Sequence, residues 1–171
     1  MFLILDYTLP SRETVRITNT YNRLTDLGAN RIFYASTDTG AVENAAGQRD
    51  IRFIDTVKPD GNPRVYRNED TGWIWPPYFK YDSANLQAEA TNLQSGRDNP
   101  QWVSVTAYGL RMAFPSTYPN AVSIDTLAGP DERPRNWAAS IVCIVLLMLL
   151  ALLWRMWAQF QERGFGRRKK P

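Results

Sequence analysis

The chain contains no histidine. That absence removes the imidazole general base, the histidine metal ligand and the axial histidine of a haem. Cysteine is nearly as scarce. Cys143 is the only one and sits within an apolar run, so thiolate catalysis, zinc–sulfur sites and an internal disulfide are excluded and the thiol is expected to pack as a small apolar group. The glycines are scattered and build no phosphate-cradling loop. No repeat or low-complexity tract is present. What survives of enzyme chemistry is serine or carboxylate chemistry. The nearest thing to a motif for it, Asn-Glu-Asp-Thr-Gly at 68–72, lacks the alternating ligands and distal glutamate of a calcium loop. It reads as a solvated turn.

What the chain does have is one long hydrophobic run. Residues 137–154 carry no charge and, as a helix, extend roughly 27 Å, which suits the hydrocarbon core of a bilayer. A soluble core helix would show a polar stripe, and this segment has none. Trp137 and Trp154 close the run, and Trp157 with Arg155 follows at the position of the headgroups. A transmembrane helix is expected over 137–157. Near its start Ala138, Ala139, Ser140 and Cys143 form a small-residue patch that permits close helix packing.

Charge gives the orientation. The segment behind the run holds Arg155, Arg163, Arg167, Arg168, Lys169 and Lys170 against Glu162 alone, whereas Arg133 and Arg135 in front are balanced by Asp131 and Glu132. The positive-inside rule places a basic tail, 158–171, in the cytoplasm and the preceding domain across the membrane. Arg167, Arg168, Lys169 and Lys170 are expected to meet lipid headgroups. With those cations set aside the first 135 residues are slightly acidic, so the basic pI is no argument for nucleic-acid binding.

An exported domain needs a signal, and Phe2–Leu5 is too short for one. Either residues 1–9 are the stub of a first hydrophobic helix or the topology is inverted. The first alternative keeps the charge rule.

Between these segments, residues 10–130 suit one β-rich domain, joined to the helix by a proline-containing linker at 131–136. Residues 14–20, 30–36, 50–57, 102–108 and 121–124 alternate as strands do, and the turn chemistry of 58–63, with Asp60-Gly61, predicts a hairpin onto 64–67. Residues 83–94 read as the one helix of the domain, capped by Asp82 or Ser83, burying Leu86, Ala90 and Leu93 and ending at Gly96. The expected class is α+β: a small antiparallel β-sheet or partly closed barrel with one helix, then the C-terminal transmembrane helix.

The most unusual composition lies at 72–81, Gly-Trp-Ile-Trp-Pro-Pro-Tyr-Phe-Lys-Tyr. Trp73, Trp75, Tyr78, Phe79 and Tyr81 on a proline-stiffened segment have the make-up of a partner-binding hot spot, which buries large area at low entropic cost. The alternatives are that Trp73 or Trp75 plugs the barrel, or that the segment dips into the lipid interface. Tyr108, Phe114 and Tyr118, with Pro115 and Pro119, form a weaker second aromatic patch.

The sequence also carries a family likeness. Tyr7-Thr-Leu-Pro10, the blocks Glu-Asp-Thr-Gly-Trp at 69–73 and Trp-Pro-Pro-Tyr-Phe at 75–79, Asn-Ala-Val-Ser-Ile at 120–124 and Trp-Arg-Met-Trp-Ala-Gln-Phe at 154–160 resemble an uncharacterised domain-of-unknown-function family of alphaproteobacterial inner-membrane proteins with a periplasmic domain. Members begin with a hydrophobic helix ahead of the Tyr-Thr-Leu-Pro segment, and this chain starts inside it. The resemblance implies no catalytic residue and no cofactor. It implies a periplasmic face in a photosynthetic or respiratory membrane.

The function expected is that of a non-enzymatic accessory subunit of an inner-membrane bioenergetic complex. Its partners would be integral-membrane subunits, lipid and a soluble electron carrier at the periplasmic face, and not nucleic acid. The first host to consider is a photosynthetic reaction centre–light-harvesting complex, in which a chain without histidine is not expected to ligate pigment. A respiratory cytochrome complex comes second. The competing expectations are a free-standing, membrane-tethered periplasmic binding or assembly factor, and a tethered enzyme using Asp, Glu or Ser.

Overall fold

A computed structural model describes residues 9–28, 34, 44, 47–72, 80–109 and 117–166, with only the backbone described at 138–139 and 162–166. The chain divides into two compact units, Met1–Asn136 and Trp137–Pro171.

In the first unit five strands close into a barrel in the order β1-β2-β3-β5-β4. They are β1 (Ser11–Asp26), β2 (Gln48–Val57), β3 (Pro63–Asn68), β4 (Trp102–Tyr108) and β5 (Asn120–Thr126), with helix α1 (Ser83–Asn92) between β3 and β4. All neighbours are antiparallel except β3 and β5, which meet in parallel where Arg67 lies opposite Asn120. A five-stranded Greek-key barrel of this kind is the architecture of the OB-fold. The expected α+β class with a C-terminal apolar helix is what the chain adopts.

The length of β1 makes closure possible. Its first half pairs with β4, from Ser11 opposite Ala107 to Arg16 opposite Trp102, and the rest pairs with β2 as far as Asp26 opposite Gln48. The register slips between Ile17 and Asn19, and such a bulge bends the strand. It also changes which side chains face inward. Val15 and Ile17 enter the barrel core, but beyond the bulge Thr20 reaches Thr91 of α1 while Tyr21 turns to the outer face. The β2–β3 hairpin turns as its composition requires. Gly61 has φ +84°, where a side chain is disfavoured, and Asp60 accepts bonds from the Asn62 backbone and side chain.

Helix α1 touches β1, β2, β3 and β5 and completes the core. Leu86, Ala90 and Leu93 are buried with Val15, Ile17, Ile54, Tyr66, Val103 and Val105. Its caps differ from expectation. The Asp82 side chain makes no capping bond; Asp70, from the end of β3, accepts both the Ser83 backbone N–H and its hydroxyl. The helix stops at Asn92, where the Leu93 N–H bonds back to Glu89, and Gly96 takes no part. At the N-terminal end a partner from outside the helix has replaced the local cap, whereas the C-terminal end closes on its own last turn. The strand expected at 30–36 lies outside the described residues except for Tyr34.

The 131–136 linker is held to the barrel. Thr14 Oγ1 donates to the Glu132 carbonyl at 2.7 Å, and Asn136 Nδ2 donates to the Pro10 carbonyl. Pro10, just before β1, and Asn136, at the end of the linker, are therefore hydrogen-bonded neighbours.

The second unit is helix α2 (Trp137–Gly166), which runs on through the first part of the expected tail. Its segment Ser140–Gln161 is long and apolar enough to cross a membrane, about 33 Å at helical rise, and Arg155 is its only charge. Ile141, Leu147, Leu150 and Leu153 are all at least 58% exposed, and Trp154 reaches 76%. Apolar side chains open on every side are stable in lipid and not in water.

Candidate functional site: the buried neck of the aromatic segment

The Asn-Glu-Asp-Thr-Gly stretch expected to be a solvated turn is buried. Asn68, Glu69 and Thr71 are 1%, 8% and 0% exposed, and Lys80 is 2% exposed. The reason lies in partners that are distant in sequence. Asn120, at the start of β5, clamps Glu69 with two bonds of 2.9 Å: its Oδ1 accepts the Glu69 N–H and its Nδ2 donates to the Glu69 carbonyl. Thr71 and Lys80 then pair. The Thr71 N–H donates to the Lys80 carbonyl at 2.8 Å, and the Lys80 N–H donates to Thr71 Oγ1 at 2.9 Å. The chain thus leaves the barrel at Thr71 and returns at Lys80 through a pinned neck, with residues 73–79 between them.

The Lys80 side chain runs inward from that neck. Its Nζ donates to Asn68 Oδ1 and to the Ala121 carbonyl. Both Asn68 amide hydrogens are also used, since its Nδ2 donates to the Ser83 carbonyl and Gln87 Oε1, both at 2.8 Å. Burial pushes the Lys80 ammonium down to about 7, against the pull of Asp70, Asp82 and Glu69. An amine that titrates there is chemically a nucleophile or base. This one is enclosed and held by two acceptors, so the arrangement fits it for structure.

Beside the neck, Glu69 sits between two guanidinium groups, Arg67 Nη1 at 2.9 Å and Arg49 Nη1 at 3.6 Å, all three side chains being buried. The Tyr34 ring lies 4.6 Å from the Arg67 guanidinium carbon and offers it a π face in place of water. Desolvation raises the Tyr34 phenol, with Glu69 adding to the effect and Arg67 opposing it.

Arg49, Ile51 and Phe53 of β2 and Val65 and Arg67 of β3 share the outer face of the sheet. In OB-folds this face, with the flanking loops, binds oligonucleotides or oligosaccharides. Here it is covered from within the chain. Leu27 and Tyr34 come from the β1–β2 connection and Tyr118 from the β4–β5 connection. Phe53 stacks on Tyr21 at 5.6 Å and meets Tyr118 edge-on at 5.5 Å. Tyr118 of the expected second aromatic patch therefore belongs to this outer cluster; Phe114 and Pro115 lie outside the described residues.

The other expected site residues separate as follows. Trp73, Trp75, Tyr78 and Phe79 lie outside the described residues, and Tyr81, just past the neck, is 64% exposed. Trp137, Trp154 and Trp157 are exposed along α2, as are Arg155, Ser140 and Cys143. Ala138 and Ala139 are placed in the helix by backbone alone. Arg167, Arg168, Lys169 and Lys170, like Phe2–Leu5, lie outside the described residues. The sequence reading missed Arg49, Arg67, Glu69, Lys80 and Asn120 as a group. The one available signal was the i, i+2 spacing of Arg67 and Glu69, which puts both on one side of a strand. Among the described residues no group of acidic or cysteine side chains is placed to hold a metal ion.

Two comparisons with known proteins give the family of the chain. Residues 1–161 match the family described as "Protein of unknown function (DUF1523)". An uncharacterized protein of Haemophilus influenzae is 36% identical over 148 residues, which cover 86% of this chain and 79% of the relative. No solved structure matches the chain. The match spans the barrel, its neck and most of the apolar helix together, and the chain belongs to the DUF1523 family of proteins of unknown function.

Proposed function

We propose that this protein is a non-enzymatic accessory subunit of a membrane assembly. In this reading α2 crosses the bilayer, the barrel lies on the periplasmic side, and the aromatic segment 73–81 docks on an integral-membrane partner. The observation that carries it is the neck. Thr71 and Lys80 are paired and buried while Tyr81 beside them is open, so a segment with four aromatic side chains, Trp73, Trp75, Tyr78 and Phe79, starts and ends on a fixed base with Tyr81 just past it. Anchors on an ordered base lose little entropy on binding, which favours an interface. The bond between Pro10 and Asn136 adds that both exits from the barrel domain lie together, as a domain tethered over a membrane would have them. The covered OB face speaks against an oligonucleotide partner.

A photosynthetic or respiratory host is the narrower form of this proposal and draws on the family resemblance. The relative in Haemophilus influenzae favours a host that is not confined to photosynthetic membranes. Purification of the full chain in mild detergent tests the reading. Stoichiometric co-migration with a larger membrane complex is the expected result. Release of that complex by joint Trp73→Ala and Trp75→Ala substitution, with the barrel's melting temperature unchanged, would assign the contact to the segment. A wild-type monomer without partners overturns the subunit reading in favour of a free-standing tethered factor.

A further inference from the structure

A second feature of the barrel domain has no part in that docking. A pocket of about 710 Å³ opens between the start of β1, the β2–β3 turn and the linker after β5. Its volume lies within the range of small-molecule sites, roughly 300–1,000 Å³. Its charged lining is mixed: Arg12, Lys58 and Arg133 face Glu13, Asp60 and Asp131. Prolines 59, 130 and 134 stiffen the rim, and the bond from Thr14 to the Glu132 carbonyl fixes the linker wall.

These charges are not equally committed. Glu13 accepts from Lys58 Nζ and faces Arg64 Nε, both at 3.2 Å, and takes the Tyr66 hydroxyl at 2.7 Å. Its charge is used within the protein. Asp60 is occupied by Asn62. Arg12 has only a long, exposed contact of 3.7 Å with Asp125, a kind of pair that holds weakly in water. Asp131 and Arg133 are exposed and make no hydrogen bond or ion pair among the described residues. The pocket therefore presents two loosely held guanidinium groups and one open carboxylate around a rigid wall. A ligand with a single charge would leave one sign unanswered, and a zwitterion answers both.

The linker supplies the location. Arg133 precedes the first residue of α2 by four positions, so the chain cannot carry it more than about 15 Å from the helix start. If α2 spans the bilayer with Trp137 at the headgroup level, the pocket lies within reach of lipid headgroups.

We infer that this pocket binds a zwitterionic phospholipid headgroup of the phosphoethanolamine class, Arg12 and Arg133 holding the phosphodiester and Asp131 the primary ammonium. The location, though not the charge pattern, rests on the membrane-spanning reading of α2. Guanidinium groups suit a phosphate because they offer paired donors. A primary ammonium can donate to a carboxylate as a quaternary one cannot.

The test uses full-length protein in a maltoside detergent, titrated calorimetrically with soluble glycerophosphoethanolamine. Saturable binding is expected, weakened at least fivefold by Arg133→Gln and by Asp131→Asn, both exposed positions, with unchanged melting temperatures. Glycerophosphocholine should bind at least fivefold more weakly. No saturable binding, or binding indifferent to both substitutions, overturns the proposal. Equal binding of inorganic phosphate overturns it too and assigns the pocket to free phosphate. Because the probe is soluble, the assay needs neither bilayer nor partner. A chain that binds the headgroup but purifies alone fails only as a subunit, and one that co-purifies but ignores the headgroup fails only here.

Discussion

The barrel and the helix solve the burial problem in opposite ways. The barrel takes polar groups inside and pairs several of them with one another, as Glu69 does between Arg49 and Arg67 and Lys80 does between Asn68 and Ala121. Helix α2 has almost no polar side chains along its apolar stretch and leaves its hydrophobic ones open. The difference shows that stability in the first unit depends on keeping every buried partner, because one removed group strands the others. In the second it depends on the surrounding medium.

Single substitutions can break this contrast. The largest effect is expected from Glu69→Ala, which leaves two buried guanidinium groups without their carboxylate. A loss of about 3–5 kcal/mol in the barrel's unfolding free energy should appear in denaturant titration, with membrane association of α2 intact. Leu86→Ala, which opens a cavity under α1, should cost about 2–5 kcal/mol in the same assay. The reciprocal change is Leu147→Arg. A cation at the middle of the apolar stretch costs about 3 kcal/mol on insertion scales and should shift protein from the membrane to the soluble fraction without altering the barrel's melting temperature.

A finer test uses pH. Lys80 binds its proton less readily when folded, at about 7, than at the ordinary value of 10.5. Between those values the unfolded chain holds the proton and the native one does not, so this residue makes stability rise with pH from about 7 upward. Below about 7 the cost of burying the charge is present in full. The Tyr34, Tyr66 and Tyr108 phenols are raised by burial, so above pH 10 unfolding releases their protons and stability should fall. Thermal melts should therefore pass through a maximum near pH 10, and Lys80→Met should flatten the rising limb. The smallest effect is expected from Tyr81→Ala, within about 0.5 kcal/mol, since the ring is exposed.

Much of the fold was legible because it rests on local periodicity. The alternation at 102–108 gave β4 with its observed ends, and Leu86, Ala90 and Leu93 proved to be the buried face of α1. The apolar run gave α2 directly. What escaped depends on partners far along the chain. Asn68–Gly72 looked like a turn because its residues are polar, and partners distant in sequence, among them Asn120 of β5, Lys80 and Gln87, make it an interior. The cap of α1 escaped for the same reason: Asp70 was not adjacent to the helix in sequence. The bulge after Ile17 has no side-chain signature, yet it decides that Tyr21 joins the outer cluster.

Docking of the aromatic segment on an integral-membrane partner is open to direct test. A photoreactive amino acid in place of Tyr81, irradiated in intact membranes, tests it at an exposed position that flanks the segment. The expected product is one discrete adduct with an integral-membrane protein, absent when the same probe replaces the similarly exposed Leu24 of β1. Adducts with lipid alone, or the same products from both positions, would contradict it.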